Sequence, residues 1–423
     1  MSTGMSAEAF YDGLETRDPA AREQALLAAL PGHIAHAQAH APAFTDLLAG
    51  VDPVAITSRA ALASLPVTRK ADLLTRQQAL RASDPLGGFA TLGWTGVLRS
   101  AQARKVFQSP GTIYEPEGEG ADCWRTARAL FAAGFRAGEL IHNSFSYHLT
   151  PAGSMMESGV HALGCTVFPG GVGNTDLQLQ AISELRPHGY VGTPSFLKIL
   201  LDKADETGVA LPSFTKALVS GEAFPAALCD WLAARGVVAY QCYATADIGL
   251  IAYETTAREG LVLAEGVLVE IVRPGTGDPV APGEVGELVV TSFNAGYPLI
   301  RFGTGDLSAV LPGSCPTGRS NVRIKGWLGR ADQSAKVRGM FVHAGQVAQI
   351  VRRFPEAGRA RLLVEGEMAN DRMTLKLEVP VASEGLAARV AAEVRNVTKL
   401  RCEVVLLPPG SLPNDGRVIE DLR

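Results

Sequence analysis

Between Gly138 and Cys242 short apolar runs alternate with longer amphipathic ones, and that rhythm leaves little choice of fold. Leu140 to Asn143 reads as a strand, Ala152 to Leu163 as a helix and Cys165 to Phe168 as a strand. Leu177 to Leu185 is then helical, Gly189 to Val191 a strand and Ser195 to Glu206 a helix. A further unit follows: strand Ala217 to Val219, helix Pro225 to Arg235, strand Val237 to Cys242. Strands joined through single helices pair in parallel, so the class is α/β with βαβ units. After about Gly260 the period changes. Leu268 to Val272 and Glu287 to Thr291 flank the turn Pro274-Gly275-Thr276-Gly277-Asp278-Pro279, the signature of antiparallel strands. Ahead of the alternating region, Ala7 to Leu47 has apolar positions at helical spacing, and Leu65 to Leu73 sets a proline-bounded turn before another helix.

At 423 residues the chain is too long for one compact core, so two or more domains are expected. A large N-terminal domain over 1–328 and a small α+β domain over 329–423 fit the pattern, with the boundary near Gly329. A 47% hydrophobic fraction with 19% charged residues belongs to an ordinary globular protein. The net charge of -4 offers no attraction to nucleic acid or to an anionic membrane, so neither is an expected partner. No apolar run reaches the roughly 18 residues of a bilayer-spanning helix, and the N-terminus lacks a basic start followed by an apolar core. Cys123, Cys165, Cys229, Cys242, Cys315 and Cys402 are scattered without a Cys-x-x-Cys pair and read as reduced thiols. A cytoplasmic enzyme is the expectation.

The polar residues able to carry chemistry gather at strand ends and turns. Tyr243-Ala244-Thr245-Ala246-Asp247 follows a buried strand, and open α/β sheets bind ligands at such C-terminal ends; a turn-forming aspartate suits the same position. Ser220-Gly221-Glu222-Ala223 lies between a strand and a helix, as does Gly192-Thr193-Pro194-Ser195 with Ser195 as the N-cap, and capping alone explains either. Arg301-Phe302-Gly303-Thr304-Gly305-Asp306 puts a carboxylate on a glycine-rich turn. Its two oxygens can accept from both hydroxyls of a vicinal diol, and the glycines let backbone approach closely. His142-Asn143-Ser144-Phe145-Ser146-Tyr147-His148 sets two aromatics and two histidines together in a chain with 8 histidines. Gly329-Arg330-Ala331-Asp332 makes a turn before the basic stretch Lys336-Val337-Arg338-Gly339, which could equally be a solvated face.

In this order, over most of the chain, the segments resemble the adenylate-forming enzymes, and the whole is similar to their phenylacetate-CoA ligase branch. The resemblance implies ATP or AMP, Mg²⁺ and CoA as cofactors, and a carboxylic acid as substrate. It implies that Tyr243, with Ala244, stacks on adenine. Thr245 supplies a hydroxyl to phosphate in place of Ala246, and Asp247 holds Mg²⁺ where relatives have Glu. Gly221, Glu222 and Ala223 would face the adenine ring, and Asp306 the ribose. Asp332 would be the hinge of a mobile C-terminal domain. Arg330, Lys336 and Gly339 would serve nucleotide or CoA, while Phe145, Tyr147 and His148 would line the acyl pocket. The catalytic residues would be Arg417 and Asp247.

Against that pattern, the phosphate loop of the family, roughly Ser-Ser-Gly-Thr-Thr-Gly-Lys-Pro, corresponds here to Ser109-Pro110-Gly111-Thr112-Ile113-Tyr114-Glu115-Pro116. Ser109, Gly111 and Thr112 keep donors, but Pro110 removes an N–H and Glu115 puts an acid where the family has a lysine. A lost charge-assisted hydrogen bond is worth about 1.5–3 kcal/mol. Arg417 replaces the lysine that bridges carboxylate and phosphate, a planar fork for a compact ammonium. Cys315-Pro316-Thr317-Gly318-Arg319 keeps one thiol of a Cys-x-Cys-Gly-Arg segment, so no structural zinc is expected. The implied reaction is acyl-adenylate formation followed by transfer to CoA. The alternatives are a weakened relative that binds nucleotide or acyl-CoA as a sensor, and a ligase with a non-CoA acceptor. A homodimer is left open.

Overall fold

The computed structural model describes residues 9–97, 101–273, 276–331, 334–338, 340–366, 370–413 and 417–423. Strands Thr166–Pro169, Leu140–Asn143, Gly189–Gly192 and Lys216–Val219 lie side by side in that order, all parallel. Helices Ala152–Ala162, Thr175–Leu185 and Pro194–Thr207 are their crossovers. Tyr190, Val191, Ala217, Leu218 and Val219 are wholly buried, as strands covered on both faces must be.

One helix start differs from the sequence expectation. The N-cap of Pro194–Thr207 is Thr193, whose hydroxyl accepts the Phe196 N–H at 3.4 Å, and Ser195 lies inside the first turn. Proline decides this. It needs no donor at the first helical position, so the cap falls on the residue before it.

Strand Val238–Thr245 is where the sheet changes character. Its first half pairs in parallel with Lys216–Val219, from Val238 opposite Lys216 to Gln241 opposite Val219. Its second half pairs antiparallel with Gly249–Glu254, with a bulge between Tyr243 and Ala244. Leu261–Leu263, Arg323–Ile324 and Val310–Leu311 continue the antiparallel side, making a nine-stranded sheet among the described residues. Gly249 ends the intervening turn at φ +84°, and a Cβ there would meet the Trp124 ring and carbonyl at 3.0 Å. Conformation and space both demand glycine.

A second sheet joins Val267–Val272, Gly286–Ser292 and Phe302–Ser308, edged by Thr68–Arg69 running parallel to Phe302–Gly303. Arg301, at φ +46°, is buried beside it. Its guanidinium donates to both Glu270 oxygens at 3.1 Å, to the Ala63 and Gly277 carbonyls at 2.7 Å, and to the Leu65 carbonyl. The Arg301 carbonyl in turn accepts the Thr68 N–H at 2.9 Å. This buried cation is tolerated because an opposite charge and backbone oxygens surround it.

The chain divides into two compact units. One runs to Gly221 and continues over Leu232–Thr304 and Ser308–Trp327; the other comprises Glu222–Trp231, Gly305–Leu307 and Leu328–Arg423. Within the second, strands run in the order Glu403–Leu407, Arg372–Glu378, Ala360–Glu365, Ile419–Asp421, with helices Ala344–Arg352 and Leu386–Thr398. Val337, Val347, Leu362, Val364, Leu375 and Val390 form its own core.

Replacing Arg301 by Met would leave the Glu270 charge buried without its partner. Breaking such a pair costs about 3–5 kcal/mol. Urea titration of Arg301→Met should show a loss of that size, and a loss below about 1 kcal/mol would mean the pair does not hold this sheet.

Candidate active site

The turn after the switch strand is closed by Thr245, whose hydroxyl accepts the Ile248 N–H at 3.1 Å. It carries Asp247, only 4% exposed. Asp247 Oδ2 accepts from Lys70 Nζ at 3.0 Å, and Lys70 is the first residue of helix Lys70–Leu80. The other oxygen, Oδ1, is buried without a hydrogen-bond partner.

Within electrostatic reach of Asp247 lies a hairpin that carries Glu115. Lys105–Ser109 and Ile113–Glu117 pair antiparallel with Ser109 opposite Ile113, so only Pro110, Gly111 and Thr112 remain in the loop. Gly111 and Thr112 take φ +98° and +62°. The Thr112 N–H turns back to the Ser109 carbonyl at 3.1 Å, and the Thr112 carbonyl accepts from Arg81 at 2.8 Å. Glu115 is wholly buried; one oxygen accepts from the Ser109 hydroxyl and the other has no partner. The Ser109 hydroxyl thus points to the acid within its own hairpin.

Burial, and then the Asp247 charge, push Glu115 up to about 8, against the opposing pull of Lys70 and the Ser109 hydrogen bond. The Tyr297 hydroxyl is buried without a partner too, and burial with the charges of Asp247 and Glu115 raises it well above the usual phenol range. Asp247 Oδ1, Glu115 Oε2 and the Tyr297 hydroxyl are thus each buried without a partner, and the Asp247 charge reaches both other residues. A proton on Glu115, which burial favours, leaves the Asp247 carboxylate facing the Lys70 ammonium. Mg²⁺ prefers oxygen ligands and binds through one or two carboxylates plus water or phosphate. This donor set fits it.

Tyr243 is half-buried at the bulge, and Ala244 packs on the small cluster of Phe107, Trp124 and Met155. Beneath, Glu117 accepts from Trp124 Nε1 at 2.8 Å and Ser154 Oγ at 3.0 Å, and pairs with Lys105 at 3.3 Å. Phe145 is buried, whereas Tyr147 and His148 are exposed. The Asn143 amide donates to the Tyr147 hydroxyl at 2.8 Å. His142 is a structural histidine: its Nε2 meets Gln178 Oε1 at 2.7 Å and its ring stacks on Phe168. Gly221 sits at φ +83°.

In the second unit, Arg330 Nη1 donates to Asp306 Oδ1 at 2.9 Å, and the Ala331 N–H reaches the Gly305 carbonyl at 2.6 Å. Glu222 and Ala223 are half-buried, and Arg417 is exposed with its carbonyl accepting from Arg361 at 3.3 Å. Asp332, Gly339 and the Lys336 side chain lie outside the described residues.

Sequence reasoning missed Lys70 and Tyr297 as site residues and treated Glu115 only as a defect. The Lys70–Asp247 contact spans 177 positions, and nothing local to either residue announces it.

The family model of the AMP-binding enzymes matches residues 146–295. A phenylacetate-coenzyme A ligase of Aromatoleum evansii is 34% identical over 67% of this chain and 64% of its own length. One of Thermus thermophilus is 33% identical over 71% of this chain and 68% of its own. The chain thus spans about two thirds of the curated relatives it matches. Among solved structures, a 2-hydroxyisobutyryl-CoA ligase in complex with 2-HIB-AMP and CoA superimposes with a TM-score of 0.75 at 24% identity, over 96% of this chain and 91% of that one. That likeness is one of fold.

The folded protein holds the Glu115 proton more tightly than the unfolded chain does. This favours folding at low pH, and the advantage is lost as pH climbs from about 4.5 towards about 8. Glu115→Gln is neutral throughout. The melting temperature of wild type minus that of Glu115→Gln should therefore fall steadily across this window, and a flat difference would mean that Glu115 is not protonated in the fold.

Proposed function

The chain belongs to the phenylacetate-CoA ligase family of adenylate-forming enzymes, and on that footing we propose that it activates a carboxylic acid with ATP and passes the acyl group to CoA. A substrate carboxylate oxygen attacks the α-phosphorus and pyrophosphate leaves. The CoA thiolate then attacks the acyl carbon and AMP leaves. The observation that carries this reading is the Lys70–Asp247 pair at 3.0 Å beyond the switch strand. It supplies the phosphate side with the positive charge that the hairpin lacks, and a hard oxygen ligand beside it.

In this reading Tyr243, with Ala244, stacks on adenine, and Gly221, Glu222 and Ala223 border the ring. Asp306 accepts from the ribose hydroxyls while Arg330 steadies its carboxylate. Asp247 would hold Mg²⁺, which when bound would supply positive charge beside the phosphates. Phe145, Tyr147 and His148 border the acyl group, and the 329–423 segment turns about Asp332 between the half-reactions, bringing Lys336 and Gly339 toward CoA. Arg417 clamps carboxylate and α-phosphate during adenylation. The acid is aryl or acyl.

The three-residue hairpin favours a second reading, in which the chain binds nucleotide or acyl-CoA without turnover. Ser109 is already engaged, and Glu115 stands where a cation would help.

Pyrophosphate release with a panel of aryl and acyl acids separates the two. An active ligase should lose adenylate formation in Arg417→Ala, keep it in Arg417→Lys, and keep thioester formation from a pre-made acyl-adenylate in both. Wild type that releases no pyrophosphate with any acid, yet binds AMP, would establish the second reading.

By calorimetry, Asp306→Ala should weaken AMP binding by about 1.5–3 kcal/mol, the worth of hydrogen bonds to a charged group. Equal affinity in both proteins would remove Asp306 from the ribose.

A further inference from the structure

A second buried acid of the hairpin joins three segments of the site. Glu117 ends strand Ile113–Glu117, opposite Lys105. Its Oε2 accepts from Trp124 Nε1 at 2.8 Å and from Ser154 Oγ at 3.0 Å, and its Oε1 meets Lys105 Nζ at 3.3 Å. Each donor stands on a different segment. Lys105 opens the hairpin, and Ser154 lies in the first turn of helix Ala152–Ala162, which follows the loop of Phe145, Tyr147 and His148. Trp124 backs the Asp247 turn: its carbonyl accepts the Leu250 N–H at 3.0 Å, and Gly249 packs on its ring. We propose that Glu117 is a positioning residue, which fixes the phosphate hairpin, the acyl loop and the Asp247 turn relative to one another.

A carboxylate suits this post. Its two oxygens offer about four acceptor sites, so one side chain holds all three donors, and they in turn make its burial tolerable. A backbone contact reinforces the link. The Gln108 N–H, one residue before Ser109, donates to the Leu149 carbonyl of the acyl loop at 2.9 Å. That loop is closed on its own helix, because the Gly153 N–H reaches the Ser146 carbonyl at 2.9 Å and the Asn143 amide donates to the Gly153 carbonyl at 2.9 Å. What holds Ser154 therefore holds the loop. The inference rests on the ligase reading and adds to it the residue that aligns the two substrates. Adenylation needs the acid carboxylate in line with the α-phosphorus, and a misplacement of about 1 Å costs roughly a hundredfold in rate.

The test is pyrophosphate release from ATP with the aryl and acyl acid panel, phenylacetate, benzoate and 2-hydroxyisobutyrate among them, using the acid that releases it fastest. Glu117→Gln keeps the size of the side chain but has one acceptor oxygen in place of two. Its kcat should fall at least about tenfold while KM for ATP and for the acid stay within about twofold of wild type, the mark of lost alignment as opposed to lost binding. Trp124→Phe and Ser154→Ala each remove one donor and should each lower kcat. Combined with Glu117→Gln they should add little, because the same connection is already cut. Calorimetry with AMP counts the folded sites in every variant, so a smaller active fraction cannot imitate the result. An unchanged kcat per folded site in Glu117→Gln overturns the proposal, as does a loss confined to KM or donor variants whose losses add in full. Wild type that releases no pyrophosphate with any acid overturns the ligase reading and this inference with it.

Discussion

The reversal of partners along strand Val238–Thr245 is the constraint on which the site rests. Close to this change of partners the strand carries a bulge between Tyr243 and Ala244, where the chain bends and side chains are re-aimed. The residues that follow belong to a turn instead of a ladder, so Thr245 can bond the Ile248 N–H and Asp247 is free to point at Lys70. Gly249 lets the chain re-enter the sheet against Trp124.

How legible this was depended on range. The parallel strands and their helices follow from local periodicity, and their bounds fall within about three residues of the reading, the end of Val238–Thr245 being the furthest off. The cap of the Pro194 helix went astray because two hydroxyl residues flank the proline and only the geometry at the first helical position chooses between them. Asp247 and Asp306 stand out only through the order of the segments around them, since a turn by itself favours aspartate. His142 and His148 look alike in sequence, and only burial on Gln178 and Phe168 separates them. The loop between Ser109 and Ile113 could not be sized, because its length is set by hairpin register and not by residue type.

The hairpin also shows how one acid can have opposite effects. Read as sequence, Glu115 is simply a negative charge in a phosphate-binding segment. In the fold it lies in the core with a serine on one oxygen, an ammonium nearby and a second carboxylate within electrostatic reach. Its effect on an anion then depends on what neutralises it. A low-dielectric site amplifies whichever charge remains.

The buried arginine of the second sheet has a reach that its position conceals. Arg301 grips the carbonyls of Ala63 and Leu65, and its own carbonyl holds the Thr68 N–H. Two residues later comes Lys70. The ammonium on Asp247 is thus moored to the antiparallel core by a short, nearly inextensible length of backbone. A mutational survey scored by turnover would flag Arg301 and Glu270 as though they touched substrate, although the guanidinium directs its donors to Glu270 and to backbone carbonyls. In a lineage of such chains, substitutions at these two positions and at Lys70 should travel together.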